Sequence, residues 1–436
     1  MQRIFPRAAN ARPRVALAAV LVAAACARPA GPPPAPAPET ATRSDTAAEA
    51  RAEAARAEAA RAEAAQAESA RRDSIARNAE RRETEARRRV AIAADTLRVC
   101  AGGDVTLGTN LDTTWAKRAT RILQRPVRPF VNPDTLLAPL RPLARGADVV
   151  LLNIEGAIGE GPAPRKCAPG STNCYAFRQQ PRVAGALRRV GGGAEVVGNV
   201  ANNHARDAGE SGLAATTAHL ARAGVHVTGA DTLPTVVTTP AGDTVAFLGF
   251  STSGGPDPRD RAAVRRHVAR AAARHARVVV TMHMGAEGAG AQRTADTTEL
   301  FLGIDRGNVV AFARDAAASG ADLVVGHGPH VMRAGEWVGA TLALYSLGNL
   351  ATYGPFTLRD PLDRGALACA TLDGEGRVVA AELRSTRQRP PGFVSADPTA
   401  RAAALVDSLS RLDFPRTGVR VAAGGRIEVP ALVAEY

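Results

Sequence analysis

Seven short apolar runs, separated by segments of helical character, constrain this chain more than any other feature. Residues 97–101, 148–154, 194–198, 244–250, 277–282, 322–325 and 343–346 read as strands. Residues 182–189, 209–223, 259–274 and 308–319 read as helices between them. Such alternation argues for an α/β fold. Further on the pattern changes. Residues 366–372 and 377–383 flank Asp373-Gly374, a hairpin signal, so the sheet system has an antiparallel component. Residues 399–412 read as a late helix and 418–430 as a terminal strand region.

Five of the apolar runs lead into carboxylates, amides or imidazoles. These are Gly103-Asp104, Asn153-Ile154-Glu155, Asn202-Asn203-His204, His283, and Gly326-His327-Gly328-Pro329-His330. In open α/β sheets ligands bind beyond the carboxyl ends of the strands. Polar groups converging there can hold metal ions or move protons. Singly, most have a duller reading. Gly-Asp after a strand serves equally as a turn or helix cap. Asn202-Asn203-His204 followed by Asp207 also fits the N-cap region of the next helix, and His283 also fits a satisfied core histidine. The two imidazoles of His327 and His330, on a loop shaped by Gly and Pro, are difficult to assign to packing. His219, His226, His267 and His275 fall in helix or strand patterns and read as structural or exposed.

The formal net charge of +13 is almost all arginine, with two lysines in an Ala- and Gly-rich chain. No basic run is interleaved with aromatics, and no zinc-finger or helix-turn-helix pattern occurs, so no nucleic-acid partner is expected. Apolar residues make up 45% of 436, enough for a sizeable core.

The N-terminus reads as an export signal. Arg3, Arg7, Arg12 and Arg14 precede an apolar stretch, 15–25, that is too short to span a bilayer. Ala23-Ala24-Ala25-Cys26 resembles a bacterial lipoprotein cleavage site, with Ala23 where leucine is usual. Acylation at Cys26 would anchor the chain to a membrane. That reading places the chain in the cell envelope; the alternative is ordinary signal-peptidase cleavage, and either route leads out of the cytoplasm. Residues 27–45 form an Ala/Pro-rich linker. Residues 46–90 carry the repeats Arg51-Ala-Glu-Ala-Ala, Arg56-Ala-Glu-Ala-Ala and Arg61-Ala-Glu-Ala-Ala, all good helix formers. Large apolar residues at coiled-coil spacing are almost lacking, so this is an isolated helical or disordered stalk. In the globular part, Cys167 and Cys174 flank a Pro/Gly/Ser/Asn loop and are expected to pair in an exported protein. Cys100 and Cys369 sit in apolar strand patterns and are expected as unpaired, buried small hydrophobes.

The order of the motifs is more specific than any one of them. Gly103-Asp104-Val105-Thr106-Leu107, Asn153-Ile154-Glu155 and Ala201-Asn202-Asn203-His204-Ala205-Arg206-Asp207-Ala208-Gly209 come first. His283-Met284-Gly285-Ala286-Glu287, Gly326-His327-Gly328-Pro329-His330-Val331 and Tyr345-Ser346-Leu347-Gly348-Asn349 follow. This series resembles the CapA family of poly-γ-glutamate capsule-biosynthesis proteins over about residues 98 to 390. The chain departs from the family pattern at Thr106 (usually Met), Met284 (Trp), Gly328 (His) and Leu350 (Phe). The resemblance extends to the metallophosphatase superfamily. It implies a four-layer α/β/β/α sandwich at 97–390, with 391–436 as a C-terminal helix and strand extension.

The resemblance also implies a site. Asp104, Glu155, Asn203, His283, His327 and His330 would hold a divalent metal ion, with His204, Asp104 and Glu155 catalytic. Thr106 stands where a metallophosphatase carries a metal-binding His, which favours one metal, or a weak second one. Carboxylate, amide and imidazole ligands suit Zn, Mn or Fe. Arg178, Glu287 and Asn349 are the candidate substrate contacts. The implied function is metal-assisted chemistry on an amide or ester bond of an anionic polymer such as polyglutamate, alongside capsule synthase subunits. A phosphoesterase and a non-catalytic, envelope-anchored polymer-binding subunit are the alternatives.

Overall fold

The computed structural model describes residues 43–431 apart from 112–114, 163–165 and 168–173, with backbone alone at 43–46 and 88–94. The expected export signal, Cys26 and most of the expected linker lie outside the described residues. Two compact units divide at Arg81 and Arg82. The alanine-rich repeats are helical within Arg43–Ala94, and every described side chain from 47 to 87 is exposed. Glu68 and Glu83 pair with Arg72 and Arg87, one turn on.

The globular unit is a mixed α/β fold with two large sheets. The first runs in the order Phe393–Ala396, Val378–Arg389, Arg364–Leu372, Leu97–Leu107, Val149–Ile154, Glu195–Asn199, Val225–Thr228. From Leu97–Leu107 to Val225–Thr228 its neighbours are parallel; on the other side they are antiparallel. Asn349–Tyr353 adds a further parallel partner to the second half of Leu97–Leu107. The second sheet runs Gly335–Val338, Thr341–Leu344, Leu323–His327, Val278–His283, Thr244–Ser251, Thr235–Thr238, with a parallel centre.

Successive residues of a strand face opposite ways, and here both faces are covered. Val99, Ala101, Val149, Leu151 and Val197 share one apolar cluster with Phe247, Val279, Leu323 and Val325 of the other sheet. Their neighbours Cys100, Val150, Leu152 and Val196 pack instead with Leu187 of the helix Arg182–Val190 and Leu220 of Gly209–Arg222. Ala246, Leu248 and Val280 pack with Val264 of Arg261–Ala272 and Phe312 of Val309–Ala318. Burial on both faces is why these strands read as unbroken apolar runs.

Three expectations change. The first strand does not stop near Ala101. It continues to Leu107 because Asn349–Tyr353 pairs with its second half, so Asp104 lies within a strand. Cys100 and Cys369 are buried but not free. Antiparallel pairing sets them directly opposite, and they form a disulfide. The strand expected at 343–346 is instead Thr341–Leu344, and Tyr345 and Ser346 lie between it and the next strand, Asn349–Tyr353. Cys167 and Cys174 do pair.

Candidate metal centre

Backbone close approach places the first carboxylate. A Cβ at Gly103 would lie 2.0 Å from the Gly348 carbonyl oxygen. Only glycine lets the chain come near enough for Asp104 N to donate to that oxygen at 3.0 Å. The registers then align Asn349, Asp104, Asn153 and Asn199 across four neighbouring strands. In the second sheet His283 aligns with His327.

Asn153 links the row. Its amide nitrogen donates to Asp104 Oδ1 at 2.7 Å and lies 3.2 Å from His283 Nδ1. Its amide oxygen accepts from Asn199 at 2.9 Å and from Asn202 at 3.3 Å. With both ends of Asn153 engaged, Asp104 is fixed inside a fully buried network.

Several buried polar atoms of the expected site have no hydrogen-bond partner. Asp104 Oδ2, Glu155 Oε1, Asn203 Oδ1, His283 Nε2, His330 Nδ1 and both ring nitrogens of His327 are buried without hydrogen-bond partners. Asp104 Oδ2 is only 2.9 Å from His330 Nδ1, yet not aligned as a hydrogen bond. Glu155 Oε1 is 3.6 Å from His330 Nε2 and 3.8 Å from His283 Nε2, while Asp104 Oδ1 is 3.9 Å from Nδ1 of both His283 and His327. Asp104, Glu155 and His330 each offer a ligand atom within 4.8 Å of the others, a group able to hold a metal ion. Leaving buried polar atoms unmatched costs on the order of 1–3 kcal/mol each, and a cation that displaced the His330 proton would satisfy several at once. Hard oxygen donors mixed with imidazole suit a divalent ion.

The electrostatics are polarised accordingly. Burial pushes Glu155 up to about 8, with Asp104 and Glu287 adding to the rise. Burial pulls His330 down, but Glu155 and Asp104 outweigh it and hold the imidazolium up to about 10. Burial raises Asp104, but the three histidines prevail and hold its carboxyl well below the usual range. Burial lowers His283 and takes His327 down to about 4, so both rings are neutral donors.

His204 has its own support. Its Nδ1 is 2.6 Å from Asp207 Oδ2, and that same oxygen accepts from Phe177 N at 2.6 Å. Lys166 pairs with Asp207 through its other oxygen and lies 3.4 Å from His204 Nδ1. Phe177 packs on the His204 ring at 4.4 Å between centroids. Burial lowers the His204 pKa against the pull of Asp207. The alternative reading of Asn202-Asn203-His204 and Asp207 as an N-cap region fails, because the following helix starts after Ala208 and has no side-chain cap. Spacing three residues after His204, inside the motif, was the available signal for Asp207. Nothing local pointed to Lys166.

A cavity of about 420 Å³ opens beside these groups, lined by Glu155, His204, Glu287, His330, Asn349 and Phe356 among others. Glu287 is held by Arg306 at 2.9 Å and faces His330 Nε2 at 3.8 Å. Asn349 spends its amide hydrogens on the carbonyls of His330 and Leu362, fixing a backbone that at His330 has φ of 60°. Thr106 lines the cavity, but its hydroxyl donates to the Glu155 carbonyl at 2.8 Å. Arg178 is buried away from the cavity lining. Its guanidinium donates to Asn110 at 2.7 Å and to the carbonyls of Gly161 and Pro162 at 2.7 and 3.3 Å. Another depression, about 650 Å³, is lined by Arg188, Glu195 and His226, where the last two pair at 3.1 Å.

Fold and site together define a mixed α/β protein with a candidate metal centre where strands of both sheets end. Residues 98–353 match the family described as Bacterial capsule synthesis protein PGA_cap, and the chain belongs to that family. Membership ties it to capsule synthesis. No curated protein matches it. Among solved structures it is similar to one described as "GAP50 the anchor in the inner membrane complex of Plasmodium". Identity is 10% and the TM-score 0.33, over 70% of this chain and 88% of that one.

Proposed function

We propose that this chain is an exported, envelope-anchored hydrolase-like member of the capsule-synthesis family, acting on an amide or ester bond of an anionic polymer such as polyglutamate. The observation that carries this reading is the set of buried, unpartnered polar atoms on Asp104, Glu155, Asn203, His283, His327 and His330, with Glu155 and His330 lining an open cavity. These six residues would hold a divalent ion, Zn, Mn or Fe. When bound, such an ion supplies Lewis-acid polarisation of an oxygen at the scissile bond.

The chain's own groups do the rest. Asp207 accepts the Nδ1 proton of His204, which leaves Nε2 to pass a proton to or from the substrate. Burial raises the pKa of Glu155 while no ion is bound, and a divalent ion would favour its carboxylate as a ligand. Asn153 keeps Asp104 in place. Glu287 and Asn349 border the space where the polymer unit lies, while Arg178 braces the adjoining loop. Thr106 in place of a histidine, with its hydroxyl already used, speaks against a two-metal phosphoesterase.

The same reading makes the globular unit a four-layer α/β/β/α sandwich of metallophosphatase type. Residues 1–26 would be the signal, Cys26 the lipid anchor, and residues 46–90 a helical stalk. Capsule synthase subunits would be the partners. Metal content of the purified protein, measured by elemental analysis after reconstitution with Zn, Mn or Fe, tests the core of it. One or more equivalents, lost in Asp104→Ala/His330→Ala, is the expected result. A protein that stays metal-free would replace this reading with a non-catalytic polymer-binding subunit.

A further inference from the structure

Leu300–Phe301 and Ile304–Asp305 form a two-residue β-hairpin. Its turn residues Leu302 and Gly303 both have positive φ, 51° and 76°. Turns of this kind favour Asn or Gly at both positions. A branched aliphatic residue with left-handed backbone is a rarity that invites a functional reason. Leu300, Leu302 and Ile304 are 64%, 66% and 58% exposed. Phe301, between them, lines the cavity beside the candidate metal centre.

The helix Trp115–Leu123 meets the same cavity. Ile122, 51% exposed, and Arg118 are among its lining residues. Lys117 and Arg121 are exposed on this helix, and Arg118 sits over the Tyr175 ring at 5.2 Å from its centroid. From Trp115 to Asn132 there are five basic residues and no acidic one. The hairpin carries one exposed carboxylate, Asp305, whose Oδ1 accepts from Gly307 N at 2.7 Å. The rim of the cavity thus carries exposed aliphatic residues on the hairpin and basic residues on the helix. Exposed aliphatic residues clustered at one place mark interaction sites.

We infer that this rim docks on an anionic lipid surface, with the hairpin tip entering the interface and the cationic helix on the headgroups. The combination matches what anionic membranes bind: apolar side chains at the acyl boundary and Lys/Arg at the phosphate level. A second copy of the chain fits poorly, because a symmetric contact would set two all-basic helices against each other. Docking would hold the cavity mouth at the membrane, where lipid-borne or membrane-emergent substrate is presented. This inference holds whether or not the neighbouring centre is catalytic.

The test uses the full chain with Cys26→Ser, so that acylation contributes nothing. Leu302→Trp reports insertion through quenching by lipids brominated in the acyl chain. Vesicles containing phosphatidylglycerol should quench it beyond the parent chain; vesicles of phosphatidylcholine in high salt should not. Lys117→Glu/Arg121→Glu and Leu300→Ser/Leu302→Ser/Ile304→Ser should each weaken sedimentation with anionic vesicles by about tenfold or more, with metal content and melting temperature unchanged. Absence of added quenching at Leu302→Trp overturns the inference. So does a solution dimer that the triple serine variant dissociates.

Discussion

Asp104 Oδ2 and His330 Nδ1 lie 2.9 Å apart, both buried, without hydrogen-bond alignment between them. One residue is held by pairing within a strand, the other by a glycine- and proline-shaped loop whose carbonyl Asn349 fixes. Asp104→Asn separates folding from metal binding here. The new amide oxygen can still accept from Asn153, so the fold should be kept, with a melting temperature lowered by loss of the charge facing His330. Loss of the anionic ligand should lower divalent-metal affinity by at least about tenfold, as ligand-shell changes commonly do. Calorimetric titration with Zn or Mn measures it, and an unchanged affinity would remove Asp104 from the ligand set.

Asp207 sets the tautomer of His204, so Asp207→Asn should allow the other one. Nitrogen-15 chemical shifts of the ring would then show Nε2 protonated. Any turnover of polymer amide or ester should fall about 10²-fold or more, because the acid–base role depends on that nitrogen being free. A wild-type tautomer in the variant would assign the orientation to Phe177 packing instead.

Asp322 predicts a pH effect away from the site. Burial, with Asp373 nearby, raises its pKa from 3.8 to about 8, while its Oδ2 accepts from Val278 N at 2.7 Å. A group whose pKa rises on folding contributes its full stabilisation below the unfolded value. That contribution is lost as pH climbs through the folded value. Stability from this residue therefore declines between about pH 4 and pH 8. Asp322→Asn keeps an acceptor for Val278 and carries no charge. Its melting temperature at pH 8 should exceed that of the wild type, and the gain should vanish near pH 4. An equal shift at both pH values would contradict the account.

The two disulfides should differ in worth. Cys100–Cys369 closes 269 residues of chain and Cys167–Cys174 only 7. Loop-closure entropy assigns on the order of 5 kcal/mol to the first and about 2 kcal/mol to the second. Denaturant unfolding of Cys100→Ala/Cys369→Ala should show the larger loss. A larger loss from removing the short loop's bond would mean that strain or residual structure, not chain entropy, decides.

What the sequence by itself determined is whatever repeats locally. Apolar runs buried on both faces, the hairpin at Asp373-Gly374 and the alanine-rich helix follow from patterns a few residues long. The motif order was enough to identify the family and to mark Asp104, Glu155, His204, His283, His327 and His330. Tertiary structure alone decided how those groups meet. Strand register set Asn153 beside Asp104 and Cys100 opposite Cys369, and the far strand Asn349–Tyr353 extended the first strand through Asp104. It also turned Asp207 to His204 and spent Arg178 on carbonyls of its own chain. The physical reason is that a side chain's partners are set by distances between elements remote in sequence. Local propensity carries no record of those distances.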